Sequence, residues 1–291
     1  MATLDKYKLA IIISGVLLGP IGILVKLIGD AVPVTSLIFF RLLFATIFAF
    51  ILLAPRHLND ILTPTKKELK HNALTGLFMT SAFTLYMAAL VYAPVANVAL
   101  ITSTYIIIVP ILSFFLLKEK TNIHLPIAIL IALIGVAIMN PFTTGFFFGN
   151  MIAFIQAIIF ATMIVYFRKE EKHHDISAVF WFFLFATLFS IPLLPISGVG
   201  AVMENIHYIL TLGILSTTLP YALLSYGLEK TDASTGSLLT LVTFPLASIV
   251  LAYIVISEIV SLRTYLGGSL LILAGMVVLL KWKHKRHFLA H

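Results

Sequence analysis

Ten apolar runs, each about one bilayer long and parted by short charged, Pro-bearing or Gly-bearing connections, leave this chain one class of fold. They cover approximately 9–29, 34–54, 73–91, 95–117, 123–140, 149–167, 176–196, 207–228, 235–256 and 262–281. A hydrocarbon core of about 30 Å takes roughly 20 helical residues to cross. Lipid offers no partner to a free peptide group, so apolar runs of this length must be helices. Charged residues make up 11% of the chain, against roughly 25% in a soluble domain, and no soluble domain fits beside the spans. The expected fold is an all-α integral membrane protein of ten transmembrane helices. The first run is as long as a full span and has no small-residue cleavage pattern, so it reads as a helix and not as a cleaved signal peptide.

Basic residues set the orientation. With the N-terminus in the cytoplasm, sixteen of the nineteen Lys and Arg, from Lys6 and Lys8 through to Lys285 and Arg286, fall on the inside. Arg263 alone falls outside, and Lys26 and Arg41 lie within spans. The positive-inside rule favours this arrangement. One span more or fewer would carry the later basic loops outside, so ten is the consistent number. Both termini are then expected in the cytoplasm, with the chain in the cytoplasmic membrane of a prokaryote. The net charge of +7 reads as topology and lipid contact, with no nucleic-acid partner. The basic tail around Trp282 fits an interfacial anchor.

Five spans precede the uncharged, Gly-bearing connection at 140–149 and five follow it. A shift of 139 residues lays Glu119 on Glu258, Thr104 on Thr243 and Tyr105 on Phe244. Five is odd, so the second half enters the membrane upside down. The expected organisation is two inverted five-helix repeats, 1–141 and 142–291, the second ending in the basic tail.

The second repeat carries small residues after Thr231-Asp232-Ala233, then Pro245, Glu258, Leu266-Gly267-Gly268 and Ala274-Gly275. The first carries Leu18-Gly19, Lys26, Pro33 and Arg41-Leu42-Leu43. Together these resemble the EamA family of the drug/metabolite transporter superfamily. Leu18 stands where the family has Trp, and the first-repeat proline is Pro110 where Ile106 aligns with Pro245. The resemblance implies a ten-helix carrier that moves small organic metabolites, often amino acids, by alternating access. It also implies one midplane site lined by spans 1, 3, 4, 6, 8 and 9.

All twelve acidic residues lie in loops, tails or helix ends. Intramembrane hydrolysis needs paired acids or a His and acid cluster at depth, so an enzyme is not expected. Cysteine is absent, which removes disulfides, thiolate catalysis and cysteine metal sites. No metal and no cofactor is expected.

The embedded charges are basic. Arg41 lies about 10 Å into span 2, where a cation costs on the order of 3 kcal/mol. Two readings are open for Arg41 and Lys26. They line the outward half of the path and attract a solute carboxylate or phosphate, or they snorkel to the interface and bind helix-end carbonyls.

Mid-span polar residues are the next candidates for solute binding: Tyr86, Thr102, Thr104, Tyr105, Gln156, Thr218, Tyr221 and Thr243. Hydroxyls and an amide with aromatic walls suit a zwitterion or anion, while the competing use for Ser and Thr is helix–helix bonding. Gly19, Pro20, Pro110, Pro220 and Pro245 are the expected hinges, because each proline removes a helix hydrogen bond. Glu119 and Glu258 end the fourth helix of each repeat and are expected to fix packing, with Lys120 or Arg263 as partner.

The resulting expectation is a secondary active transporter exporting an amino acid or similar zwitterion or anion, as monomer or homodimer. Its partners would be the small-molecule solute, membrane lipid and a proton or other coupling ion. The alternative is a non-transporting membrane-embedded structural or receptor protein.

Overall fold

A computed structural model describes residues 6–118, 125–139, 145–169, 177–194, 199–228, 230–231 and 233–282, and every regular element among them is helical. The sequence candidates Glu119, Lys120, Asp232 and Lys283 to Arg286 lie outside the described residues. The α-helices are α1 (Lys6–Leu18), α2 (Ile21–Ile28), α3 (Val34–Leu62), α4 (Lys66–Tyr92), α5 (Val95–Thr102), α6 (Tyr105–Leu117) and α7 (Leu125–Met139). They continue as α8 (Phe147–Lys169), α9 (Ala178–Ser190), α10 (Val199–Glu204), α11 (Ile206–Gly213), α12 (Leu219–Leu228), α13 (Ala233–Ile256) and α14 (Leu262–Trp282).

Among the described residues, seven stretches are long and apolar enough to cross a membrane: Lys6–Ala31, Val34–Leu62, Lys66–Tyr92, Val95–Leu116, Phe147–Tyr166, Ile206–Leu228 and Leu239–Ile256. The fifth, seventh and tenth apolar runs form α7, α9 with the turn that follows it, and α14, whose apolar stretches among the described residues are Leu125–Gly135, Ala178–Leu193 and Leu262–Val277. Two helices outrun the apolar boundaries. α4 starts at Lys66 because Thr65 and Glu68 form a capping box, with the Glu68 N–H donating to Thr65 Oγ1 at 3.2 Å and the Thr65 N–H to Glu68 Oε2 at 2.7 Å. α3 runs through Pro55 to Leu62 with a kink at His57, since proline costs a helix one bond without stopping its next turn.

Three spans are interrupted near their middles. The first breaks between α1 and α2 at Gly19-Pro20. The fourth breaks at Ser103-Thr104, where the hydroxyls compete for helix carbonyls: Ser103 Oγ donates to Ala99 O at 2.8 Å and Thr104 Oγ1 to Ile101 O at 2.6 Å. Backbone bonds there tighten to the three-residue type, Thr104 to Ile101 and Ile107 to Thr104. The eighth widens into a π-helical turn at Ile214–Thr218, just before Pro220. Pro110 and Pro245 sit inside the unbroken helices α6 and α13.

α1 lies against α12 and α13, α4 against α8 and α9, α3 against α9 and α11, α6 against α8, α5 against α13, and α7 against α14. Small residues let these helices meet closely, with Ala45, Ala49, Ala82, Ala153 and Ala161 fully buried. Where α1 crosses α13, Gly15 leaves no room for a Cβ, which would strike the Thr243 hydroxyl. Phe115, Leu133 and Ile254 point outward, the face a bilayer would cover.

Candidate functional site

Arg41 occupies the centre. It sits two turns into α3 and is 1% exposed, the one Lys, Arg, Asp or Glu among the buried described residues. Its Nε–H donates to Thr217 Oγ1 at 2.7 Å. The Thr217 hydroxyl donates to Leu212 O at 2.6 Å, five residues back, which turns its lone pairs toward Arg41. The π-helical turn makes that geometry, because its wider winding brings a hydroxyl onto the carbonyl five residues earlier. Thr218 uses the same device, donating to Gly213 O at 3.1 Å and across to Ala45 O of α3 at 2.9 Å. Gly213 allows the approach: a Cβ there would lie 2.9 Å from the Arg41 carbonyl oxygen.

Aromatic rings close around the guanidinium. Arg41 Cζ stands 4.3 Å from the centroid of Phe83, a cation–π contact that partly replaces lost hydration. Tyr221 packs on Phe83, Phe182 and Phe183 with centroids 6.1, 6.1 and 5.7 Å apart. Tyr86 and Tyr221 are the electrostatic neighbours of Arg41, and Tyr105 is a neighbour of Tyr221. Tyr86 reaches Phe244 of α13, and Tyr105 packs edge-on against Phe160 of α8. Two of the sequence candidates, Arg41 of α3 and Tyr221 of α12, are thus joined through the ring of Phe83, with Tyr86 and Tyr105 in electrostatic range of them.

The remaining candidates divide by whether their polar atoms are free. Thr104, Thr218 and Thr243 give their hydroxyls to backbone carbonyls, Thr243 to Leu239 O at 2.7 Å. Tyr86 Oη, Thr102 Oγ1 and Gln156 Oε1 are buried with no hydrogen-bond partner among the described residues. Buried polar groups are nearly always satisfied, so an orphaned one needs an explanation. Arg41 also keeps its two terminal nitrogens unbonded among the described residues, since Thr217 engages only Nε.

Lys26 is elsewhere. Its electrostatic neighbours are Glu258 and Asp30. Glu258 accepts the N–H of Val95 on Oε2 and of Ala96 on Oε1, each at 3.0 Å, and so caps the start of α5 from the far end of α13. Both carboxylate oxygens go to these amides, where a side-chain pair with Arg263 was expected. At the expected hinge Gly19, the carbonyl accepts from Ser248 Oγ at 3.3 Å, and the Pro220 carbonyl accepts from Ser14 Oγ at 2.7 Å.

Phe83, Phe182 and Phe183 escaped the sequence reading. Phe83 had a signal, because it lies three residues before Tyr86 and therefore on the same helix face. Phe182 and Phe183 had none, being two of several aromatics along α9.

The EamA-like transporter family matches this chain twice, over residues 6–140 and 147–280. An uncharacterized transporter of Archaeoglobus fulgidus is 28% identical over 280 residues, covering 94% of this chain and 95% of that protein. The uncharacterized transporter YetK of Bacillus subtilis is 28% identical over 291 residues, covering 94% and 85% respectively. A crystal structure 17% identical to this chain superposes with a TM-score of 0.65, covering 98% of this chain and 100% of that one, and so shares its fold. Matched by one family in each half and across nearly its whole length, the chain belongs to the EamA-like transporter family: a multi-pass membrane transporter and not an enzyme.

Proposed function

We propose that the protein is a secondary active transporter of the cytoplasmic membrane, built as two inverted five-helix repeats, 1–141 and 142–291. Its ten spans place both termini in the cytoplasm, and it exports a small organic metabolite, an amino acid or a similar zwitterion or anion. The observation that carries this reading is a symmetry of packing. Exchanging the halves turns the α1–α12 contact into α8–α4, α1–α13 into α8–α6, and α3–α11 into α9–α4. The α3–α9, α5–α13 and α7–α14 contacts map onto themselves. Backbone detail agrees: Lys118 and Ser257, 139 residues apart, both end their helices with φ at 53°. Two such halves can rock about a site held between them.

That site is the Arg41, Tyr86, Tyr105 and Tyr221 cluster, with Thr102 and Gln156 supplying further free polar atoms. The interruptions at Gly19-Pro20, Ser103-Thr104 and Ile214–Thr218 are the flexing points. A proton or other ion supplies the coupling. The test is counterflow: proteoliposomes loaded with a metabolite extract should exchange at least one labelled solute faster than empty liposomes. A folded protein that exchanges none would be a receptor or structural protein instead.

A further inference from the structure

We infer that the solute is a monocarboxylate with an apolar body, bound through its carboxylate to the two terminal nitrogens of Arg41. The inference rests on reading the Arg41 cluster as the solute site, and it narrows the ligand from zwitterion or anion to anion.

A cation shut away from water is tolerated only when its charge and its N–H groups are met. Around Arg41 they are met in part. Thr217 takes Nε and the face of Phe83 lies 4.3 Å from Cζ, while the terminal pair has no partner among the described residues. That pair is a planar fork matched in spacing to a carboxylate. No Asp or Glu is buried among the described residues, so the missing countercharge is not supplied by the chain. A zwitterion would bring its own ammonium into a site with one positive charge and no acid to receive it. A dianion such as a phosphate would need a second cation, and Arg41 is the one Lys or Arg buried among the described residues. One guanidinium neutralises one carboxylate.

The walls define the rest of the ligand. Phe83, Phe182, Phe183 and Tyr221 form a continuous ring cluster beside the guanidinium, its three phenylalanines buried, an apolar setting that suits a branched or aromatic body. Tyr86 Oη, orphaned and in electrostatic reach of Arg41, is placed to donate to a carboxylate oxygen or to a carbonyl beside it.

The experiment compares ligands that differ in charge and share a body. Melting temperatures of the purified full-length protein are recorded with 4-methyl-2-oxopentanoate against leucine, and with 3-phenyl-2-oxopropanoate against phenylalanine. At least one oxo acid is expected to raise the melting temperature by roughly 3 °C at saturation, with its amino acid at least tenfold weaker. Arg41→Gln removes the shift and Arg41→Lys, which keeps charge but loses the fork, weakens binding about tenfold. Stabilisation by the amino acids equal to or above that of the oxo acids overturns the inference, as does the absence of a shift with either oxo acid. A full Arg41-dependent shift from chloride alone also overturns it, by making the site a halide site. Should Arg41→Gln fail to insert, the wild-type comparison of acid with amino acid decides.

Failure of the parent reading looks different. Counterflow of leucine that Arg41→Gln abolishes would keep the central site and discard the anion. Counterflow untouched by both Arg41→Gln and Tyr221→Ala would remove the site itself.

Discussion

The carboxylate of Glu258 accepts the backbone N–H of Ala96 at 3.0 Å, joining residues 162 apart and capping α5 from the other half of the chain. The neighbouring N–H of Val95 takes the second oxygen, so the first two amides of α5 are answered by one side chain. Glu258→Ala is expected to cost about 1–2 kcal/mol through the lost cap. Thermal unfolding in detergent reads it, with Arg263→Gln as a control that leaves stability unchanged. A Glu258→Ala protein that melts with the wild type would refute the capping role.

Tyr86→Phe separates a solute contact from a structural one. The hydroxyl is buried without a partner among the described residues, so deleting it should leave the empty protein as stable, or up to about 1 kcal/mol more stable. Transport should fall severalfold, because the removed group is free to meet the solute. Loss of stability together with unchanged counterflow would reassign Tyr86 to packing.

Thr217→Val strips the acceptor from Arg41 Nε while keeping the shape of the side chain. It should destabilise the protein by about 1–3 kcal/mol, the range for orphaning a buried donor. Thr217→Ser should restore most of it. Equal melting temperatures for the Val and Ser variants would show that the bond contributes nothing.

Gly213→Val drives a side chain into the Arg41 carbonyl and Phe44, which lie 2.9 and 2.8 Å from the site of a new Cβ. Separation of α11 from α3 should cost about 1–3 kcal/mol and weaken any ligand that depends on Arg41. An unaltered affinity with unaltered melting would mean that the close approach is dispensable.

The absence of native cysteine makes topology simple to probe. Ile259→Cys, at a position 87% exposed, should react with a membrane-impermeant maleimide added outside intact cells, and Lys66→Cys should react only after lysis. The reverse pattern would invert the proposed orientation.

Much of this was legible along the chain because the bilayer imposes local rules. Helix formation follows from the length of an apolar run, and the Gly19-Pro20 break from residues that weaken a helix by themselves. The second break shows the limit. Pro110 drew attention, yet α6 continues through it, and the interruption falls at Ser103-Thr104, where consecutive hydroxyls answer the loosened carbonyls. Three hydroxyl residues in a row were the available signal.

The sequence by itself determined the helical class, the membrane setting and the candidate polar residues, since each depends on composition or on neighbours within a few turns, and its motifs carried the resemblance to the family. Only the tertiary structure decided which of those residues meet. Arg41 finds Thr217 from 176 residues away, Tyr221 reaches the same Phe83 ring as Arg41, and Glu258 caps α5 from the other half of the chain. Such pairings depend on how each helix is rotated about its axis and how closely glycines let it approach, and these are set by packing between distant segments. The same packing separates a threonine whose hydroxyl is consumed by a carbonyl from one left free for a solute, a distinction that residue type cannot carry.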